Sequence, residues 1–380
     1  MTIFSKIEAY MRDELCGKKG IPGCDVIIMQ KHRELFRYHC GYSSLEERTP
    51  MTGKERYYLY SCTKPLTVAG AMRLVESGKL ALDAPVSNYI PAFQNAYLIK
   101  DGKAVPPASP ITVRHLFTMT AGFDYNLNRE PIKKLLSQTE GRIPTVEFAK
   151  AALASPLASE PGQQFRYSIC HDLLGAVIEA VAEMPFSEYQ SRAIFEPLEM
   201  EHTGFLTSDK IDKSCSPLYI YNQQSNRVER TDDPYRAALH PAYESGGAGL
   251  ISTVEDYIRF ADAMANEGEG KNGYRLLRPE TVKLIRSEQL KNFTINSDFT
   301  CAAGTGYGYG LGMRTLVSKA DGQRSPLGEF GWDGAACSYV MMDAENGIAI
   351  FFATHLLSWP NLLGSAHAPI RDFTYEALGL

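Results

Sequence analysis

Two side chains with complementary chemistry stand three residues apart in Ser61-Cys62-Thr63-Lys64. If this segment begins a helix, the hydroxyl of Ser61 and the amine of Lys64 lie on the same face. A serine hydroxyl is a poor nucleophile at neutral pH, but a partly desolvated lysine nearby can accept its proton. Amides at a helix start also favour the negative charge that develops there. The spacing therefore indicates nucleophilic catalysis by Ser61, with Lys64 as its base.

The same spacing also arises by chance. At ordinary frequencies of serine and lysine, about one such pair is expected in a chain of this length. This chain contains one. The elements that surround Ser61 must therefore decide between catalysis and coincidence.

Apolar periodicity places Ser61 at the start of a helix. Apolar residues recur at helical spacing from Lys64 to Leu80, and Gly78-Lys79 predicts the helix end. Strands are predicted at 24–30 and 34–40 and again after Tyr307, whereas the middle of the chain has mainly helical patterns. We therefore expect an α+β fold. Residues 1–60 and 290–380 would form a discontinuous α/β part, and residues 61–289 a mainly helical part with a small hairpin near 216–231.

The composition narrows the class of protein. The chain has 380 residues, 44% of them hydrophobic and 22% charged, which is typical of a globular protein. A net charge of -5 leaves no excess of cations for a phosphate backbone, so no nucleic-acid partner is expected. The most apolar run, 347–354, is too short to cross a membrane, and the first residues do not resemble a signal peptide. We expect a cytoplasmic protein without a membrane span.

Cofactor motifs are missing from the sequence. The eight cysteines form no CxxC pair and predict no metal-ligand cluster, so we interpret most of them as reduced, small, buried residues. The sequence has no zinc motif, phosphate-binding loop, dinucleotide fingerprint or GxSxG elbow. The expected mechanism uses neither a metal nor a cofactor.

The segments on both sides of Ser61, Tyr58-Leu59-Tyr60 and residues 65–71, resemble the nucleophile helix of serine β-lactamases and penicillin-binding proteins. Further stretches similar to the class C β-lactamase branch follow in order at 78–86, 111–122, 195–200 and 246–253. The resemblance covers about residues 20–375. It implies a β-lactamase/transpeptidase-like fold, in which an antiparallel sheet is flanked by the N- and C-terminal helices and joined to a mainly helical region.

The family's Tyr-x-Asn element corresponds to Tyr167-Ser168-Ile169. The resemblance implies that Tyr167 relays a proton to the leaving group, although this residue taken alone would suit core packing. Ile169 replaces the asparagine that holds a substrate amide. Asp172 recurs in the esterase-like version of the motif but is equally suited to cap a helix.

The family's Lys-Thr-Gly element is replaced by Trp332-Asp333-Gly334, which is similar to the Trp-x-Gly of family VIII carboxylesterases. The resemblance implies an oxyanion hole formed by the amides of Ser61 and Ala335. Small residues at Gly334 and Ala335 let this strand approach the reacting carbonyl. An inward Asp333 would repel a substrate carboxylate. Trp332 would form an apolar wall of the site or pack as a strand aromatic.

Two other motifs are given no catalytic role. His202-Thr203-Gly204 matches a structural segment of the family, and the adjacent residues Cys170 and His171 would point in different directions on a helix.

Tyr125 is expected to line the acyl pocket.

We expect a serine hydrolase that acts through an acyl-enzyme on small ester or amide substrates, and a carboxylesterase fits these motifs best. Its partner would be a small-molecule acyl substrate. A weak β-lactamase, a D-amino-acid peptidase or amidase, and an acyltransferase share this chemistry. A sensor or binding protein that kept the fold and lost turnover is the alternative from another class. The oligomeric state stays open.

Overall fold

The computed structural model describes residues 3–207, 214–232, 240, 242–291, 293, 299, 303–361 and 363–380. Cys301, one of the eight cysteines, lies outside these residues.

Sixteen strands are present in the described residues. In chain order they are β1 (Gly23–Gln30), β2 (Arg33–Ser44), β3 (Thr49–Pro50), β4 (Tyr57–Tyr58), β5 (Leu98–Lys100), β6 (Lys103–Val105), β7 (Gly204–Phe205), β8 (Leu218–Asn222), β9 (Arg227–Thr231), β10 (Leu250–Ser252), β11 (Tyr307–Tyr309), β12 (Arg314–Leu316), β13 (Phe330–Asp333), β14 (Tyr339–Asp343), β15 (Ile348–Thr354) and β16 (Leu356–Leu357).

The helices are distributed along the whole chain. They are α1 (Ser5–Ala9), α2 (Thr63–Glu76), α3 (Val113–Phe117), α4 (Glu130–Gln138), α5 (Thr145–Leu153), α6 (Cys170–Ala182), α7 (Phe186–Gln190), α8 (Val254–Ala265), α9 (Pro279–Ile285) and α10 (Ala368–Leu378). Wider π-helical turns cover Tyr10–Lys18, Ser191–Phe195 and Leu363–His367, and short 3-10 turns cover Tyr60–Cys62, Val86–Asn88 and Pro91–Asn95.

Both ends of the chain build one antiparallel sheet with the strand order β11-β12-β13-β14-β15-β1-β2-β3. Side chains alternate across it, as strand geometry requires. In β1, Val26 and Ile28 pack with the terminal helices, whereas Ile27 and Met29 pack with the helical body that contains α2. The predicted α+β fold, an antiparallel sheet with terminal helices beside a helical region, is confirmed.

Helix α2 is the centre of the helical body. Eleven of its 14 residues are buried, among them Lys64. Such a helix must be apolar on nearly all sides, which explains the dense run of small and aliphatic residues after Lys64. The helix ends at Glu76, and Gly78 follows with a left-handed φ of 73°. The predicted stop at Gly78-Lys79 is therefore confirmed.

The strands predicted at 24–30 and 34–40 are present as β1 and β2, and the hairpin predicted near 216–231 is present as β8–β9. Helix α4 and the hairpin β5–β6 were not predicted from the sequence. Helix α4 buries only Ile132 and Leu136, so its apolar stripe is too short to predict a helix from spacing alone. No helix in the described ranges is long and apolar enough to cross a bilayer.

Four of the described cysteines, Cys24, Cys62, Cys170 and Cys337, are buried as predicted. The expectation that no cysteines cluster is wrong for three of them. The fold brings Cys16, Cys24 and Cys40 together from a helix and two strands, with their sulfur atoms 3.4–3.8 Å apart. Sequence spacing could not indicate this group, because its members come from separate elements.

Candidate active site

Ser61 lies in the tight 3-10 turn Tyr60–Cys62, directly before α2. The strand before it, β4, is held by pairing with β10. Tyr60 has a left-handed φ of 45°, which is uncommon for a residue with a bulky side chain. Such backbone strain is often found at functional sites. The turn leaves Ser61 half-buried at the amino end of α2, where the helix dipole favours negative charge.

Lys64 is fully buried one turn further along the chain. Its Nζ donates to Ser61 Oγ at 2.9 Å, to Tyr125 Oη at 3.2 Å and to the carbonyl oxygen of Gly247 at 2.9 Å. An ammonium group has three N–H donors, so all three are satisfied here. Burial raises the pKa of Tyr125 well above its usual value, which keeps this phenol neutral. The lysine is thereby aimed at the serine hydroxyl.

Tyr167 approaches Ser61 from another side. Its hydroxyl donates to Ser61 Oγ at 2.6 Å, and the centre of its ring lies 4.8 Å from Lys64 Nζ. The serine oxygen is therefore in contact with one amine and one phenol. Such an arrangement can move a proton between the nucleophile, the lysine and a leaving group.

Asp172 binds the main-chain amide of Gly247, the residue whose carbonyl accepts from Lys64. One carboxylate oxygen of Asp172 accepts from Ser245 Oγ at 2.5 Å and from the Gly247 amide at 3.4 Å. Burial raises the pKa of Asp172, while the hydrogen bond from Ser245 and the charge of Lys64 oppose that rise. A Cβ atom at Gly247 would lie 2.7 Å from Asp172 Oδ2 and 3.0 Å from Tyr125 Oη, so glycine is required for this approach.

Sequence reasoning did not single out Gly247 or Ser245 as parts of the site. The signal was present as the run Gly246-Gly247-Ala248-Gly249, which marks close approach of backbone to other groups. Every residue has a main-chain carbonyl, so the sequence does not show which carbonyl contacts Lys64. Glycines that allow close approach are the one indication.

Trp332 forms an aromatic wall beside the nucleophile. It is 2% exposed, stacks on Tyr167 with ring centres 5.9 Å apart, and meets Tyr309 edge-on at 5.4 Å. The Trp332 ring is packed like a strand aromatic. Because it stacks on Tyr167, which contacts Ser61, it also lies where a wall of the site is expected.

The strand β13 ends against the nucleophile turn. A Cβ atom on Gly334 would lie 2.2 Å from the carbonyl oxygen of Leu59, and Ser338 Oγ donates to the same oxygen at 3.2 Å. The exposed residue Ala335 follows Gly334. The absence of a side chain at Gly334 therefore lets the end of β13 lie against Leu59, two residues before Ser61.

Asp333 and Ile169 are not brought to the serine. Asp333 pairs with the buried guanidinium of Arg314. Arg314 lies opposite Gly331 in the sheet, so strand alternation puts Arg314 and Asp333 on the same face. The guanidinium reaches to 5.8 Å from the centre of the Trp332 ring. Ile169 is 4% exposed within the core at the start of α6. The substrate contacts predicted for these two side chains have no counterpart in the geometry.

The buried position of Arg314 leads to a stability prediction. We expect Asp333→Asn to lower the free energy of unfolding by about 3 kcal/mol, because it removes the counter-charge of a buried cation. Urea denaturation measures this change. Asp13→Asn is the matched control, since the Asp13–Arg12 pair is exposed, with side chains 55% and 57% accessible. We expect no measurable loss there. Equal effects of the two substitutions would contradict the importance of the buried pair.

The two motifs that were given no catalytic role have structural contacts. His171 is buried, which lowers its pKa to about 3, and its Nε2 lies 3.3 Å from the carbonyl oxygen of Phe117. Burial also raises the pKa of Cys170 to about 11. The main-chain amide of His202 and the hydroxyl of Thr203 both donate to Asp256, at 2.6 and 3.0 Å. These residues hold elements together and do not contact Ser61.

The fold and the environment of the serine are those of a serine hydrolase. The family model described as Beta-lactamase matches residues 4–372. The chain therefore belongs to the Beta-lactamase family, and the resemblance found in the sequence is confirmed.

An esterase and a hydrolase are similar to this protein over nearly the whole chain. Esterase EstB of Burkholderia gladioli is 26% identical over 386 residues, which cover 96% of this chain and 93% of the relative. The structure of EstCE1, described as a hydrolase with promiscuous acyltransferase activity, is 27% identical and superimposes with a TM-score of 0.81 over 98% of both chains. Simvastatin synthase (LovD) of Aspergillus terreus shares the fold, with a TM-score of 0.81 at 19% identity over 99% of both chains.

Proposed function

We propose that this serine hydrolase is a carboxylesterase that cleaves small esters through an acyl-enzyme on Ser61. One observation carries the proposal: Ser61 Oγ lies within hydrogen-bond distance of both Lys64 Nζ, at 2.9 Å, and Tyr167 Oη, at 2.6 Å. The nucleophile thus has a base beside it and a second group that can transfer a proton.

For acylation, Lys64 must first give up one of its three protons. The amine then takes the proton of Ser61 while Oγ attacks the ester carbonyl. The amides of Ser61 and Ala335 stabilise the resulting oxyanion. When the tetrahedral intermediate collapses, the bond to the leaving oxygen breaks, and Tyr167 supplies the proton that converts the alkoxide to an alcohol. Lys64 returns a proton to Tyr167. Water then attacks the acyl-enzyme, and the proton transfers run in the reverse order. The bond to Ser61 Oγ breaks, and a carboxylic acid is released.

Several features favour an uncharged ester over a β-lactam as substrate. A β-lactam carries a carboxylate that needs a cation, whereas Trp332 occupies the motif position where the resembled family has lysine or histidine. Arg314, the cation on the strand paired with this motif, is already paired with Asp333. Trp332 and Tyr167 instead offer aromatic surface, which suits an apolar acyl or alcohol group.

Acyl transfer to an alcohol is the second candidate, and the description of EstCE1 favours it. The first half-reaction is the same, and only the acceptor differs. A primary alcohol added to the assay would yield a new ester if the acyl-enzyme accepts it.

The test of the proposal combines a covalent probe with a substrate comparison. A fluorophosphonate should add once per chain, as measured by intact mass. Short p-nitrophenyl esters should be turned over many times, with kcat/KM at least about 100-fold above that for a chromogenic cephalosporin. A cephalosporin hydrolysed faster than the esters would favour a β-lactamase. Acylation without repeated turnover would favour a sensor.

A further inference from the structure

Three cysteines meet on the side of the sheet that faces the terminal helices. Cys16 comes from the π-helical turn Tyr10–Lys18, Cys24 from β1 and Cys40 from β2. Their sulfur atoms are 3.7 Å (16 to 24), 3.4 Å (16 to 40) and 3.8 Å (24 to 40) apart. Within the described ranges, this is the one group of three or more His, Cys, Asp or Glu side chains with ligand atoms within 4.8 Å of one another.

The distances match one face of a tetrahedral metal site. A zinc ion bound to thiolates has Zn–S bonds of about 2.3 Å, so two sulfurs of a tetrahedron are about 3.8 Å apart. The observed separations of 3.4–3.8 Å need only small shifts to meet this value. We propose that Cys16, Cys24 and Cys40 bind a zinc ion through three thiolates, with water as the fourth ligand.

The backbone holds the three ligands in position. Cys24 lies directly opposite Cys40 in the antiparallel register of β1 and β2, so their side chains share a face. Gly41 follows with a left-handed φ of 86°, and a Cβ atom there would lie 3.2 Å from Cys16 Sγ. Glycine at this position lets the helix bring Cys16 down onto the two strands. The site is therefore assembled before an ion arrives.

The exposure of the three residues suits a site with one open position. Cys24 is buried, whereas Cys16 and Cys40 are half-buried, so an ion and a water can reach the cluster from outside. Soft thiolate ligands select zinc and similar cations over magnesium or calcium.

Zinc binding would also depend on pH. A thiol must lose its proton to act as a zinc ligand, so binding releases protons from the cysteines and affinity rises with pH.

The proposed site is separate from the esterase site. Cys24 packs in the cluster that includes the terminal helices, whereas Cys62, next to the nucleophile, packs in the helical body on the other face. A zinc ion would cross-link the first helical segment to β1 and β2. It would thus raise the melting temperature without acting on the substrate.

Metal titration of the reduced full-length protein tests the proposal. We expect one equivalent of Co²⁺ to produce tetrahedral d–d bands and a thiolate-to-metal charge-transfer band, and Zn²⁺ to displace it. Zinc-edge X-ray absorption should show three sulfurs and one oxygen. The melting temperature should rise with Zn²⁺. Failure to bind, or a site made only of oxygen and nitrogen ligands, would overturn the proposal.

Variants show whether these cysteines are the ligands. Cys16→Ser and Cys40→Ser change half-buried residues, and each should weaken Zn²⁺ binding by about 100-fold or more. Cys215→Ser is the matched control, because Cys215 is also half-buried but is not part of the cluster, and it should bind as the unaltered protein does. Unchanged ester hydrolysis in all three variants verifies folding. Unchanged zinc binding in Cys16→Ser and Cys40→Ser would overturn the assignment.

Discussion

Ser61→Ala should lower the kcat for ester hydrolysis by at least about 10⁴-fold and abolish the fluorophosphonate adduct, because loss of a nucleophile removes the covalent path altogether. The melting temperature should change little, since the half-buried hydroxyl is replaced by a smaller group that fits the same turn. Rates with p-nitrophenyl butyrate, intact mass and thermal unfolding measure the three effects.

The same substitution at the opposite end of α2 is a suitable control. Ser77 is exposed, and its hydroxyl donates to the carbonyl oxygen of Leu74 at 3.0 Å. Ser77→Ala should keep full turnover and the adduct. If Ser61→Ala also kept turnover, the serine would not be the nucleophile, and the esterase mechanism proposed above would fail.

How far the sequence predicts this site depends on how local each contact is. Ser61 and Lys64 are three residues apart, so helix geometry alone brings their side chains together, and the observed 2.9 Å contact follows from it. Tyr167 reaches Ser61 across 106 residues, and no spacing rule predicts that contact. Only the family resemblance, which also implies the fold, identifies Tyr167 as a partner of Ser61.

Trp332 and Asp333 illustrate a different limit. Strand alternation predicts that neighbouring side chains face opposite ways, but it does not say which of them faces the nucleophile. The orientation of Asp333 is decided by Arg314 on the adjacent strand. This buried cation needs a counter-charge, and Asp333 forms an ion pair with it. The partner is 19 residues away, and its burial could not be inferred from composition.

The cysteines are the clearest failure of spacing rules. Metal sites are usually recognised by short repeats such as CxxC, in which one turn supplies two ligands. Here each ligand comes from its own element, and the register of β1 with β2 brings Cys24 and Cys40 together. The sequence predicts the two strands at 24–30 and 34–40, but not their register. Placing Cys24 opposite Cys40 on two paired strands would have been the available signal.

The role of Tyr167 as proton donor predicts an effect that depends on the leaving group. Tyr167→Phe should lower kcat/KM for an alkyl ester by about 10²–10⁴-fold, because the departing alkoxide needs a proton. A p-nitrophenolate leaves readily without one, so the loss on a p-nitrophenyl ester with the same acyl group should be much smaller. Steady-state rates on the two esters measure the difference.

Tyr125→Phe is the matched control for that experiment. Its hydroxyl contacts Lys64 at 3.2 Å, whereas the hydroxyl of Tyr167 contacts Ser61 itself. Removing this one hydrogen bond should cost about tenfold or less. Because the contact orients the lysine and does not reach the leaving group, the loss should be equal on both esters. A Tyr167→Phe enzyme equally impaired on both esters would mean that Tyr167 only positions Ser61. The proton of the leaving alcohol would then have to come from Lys64 directly.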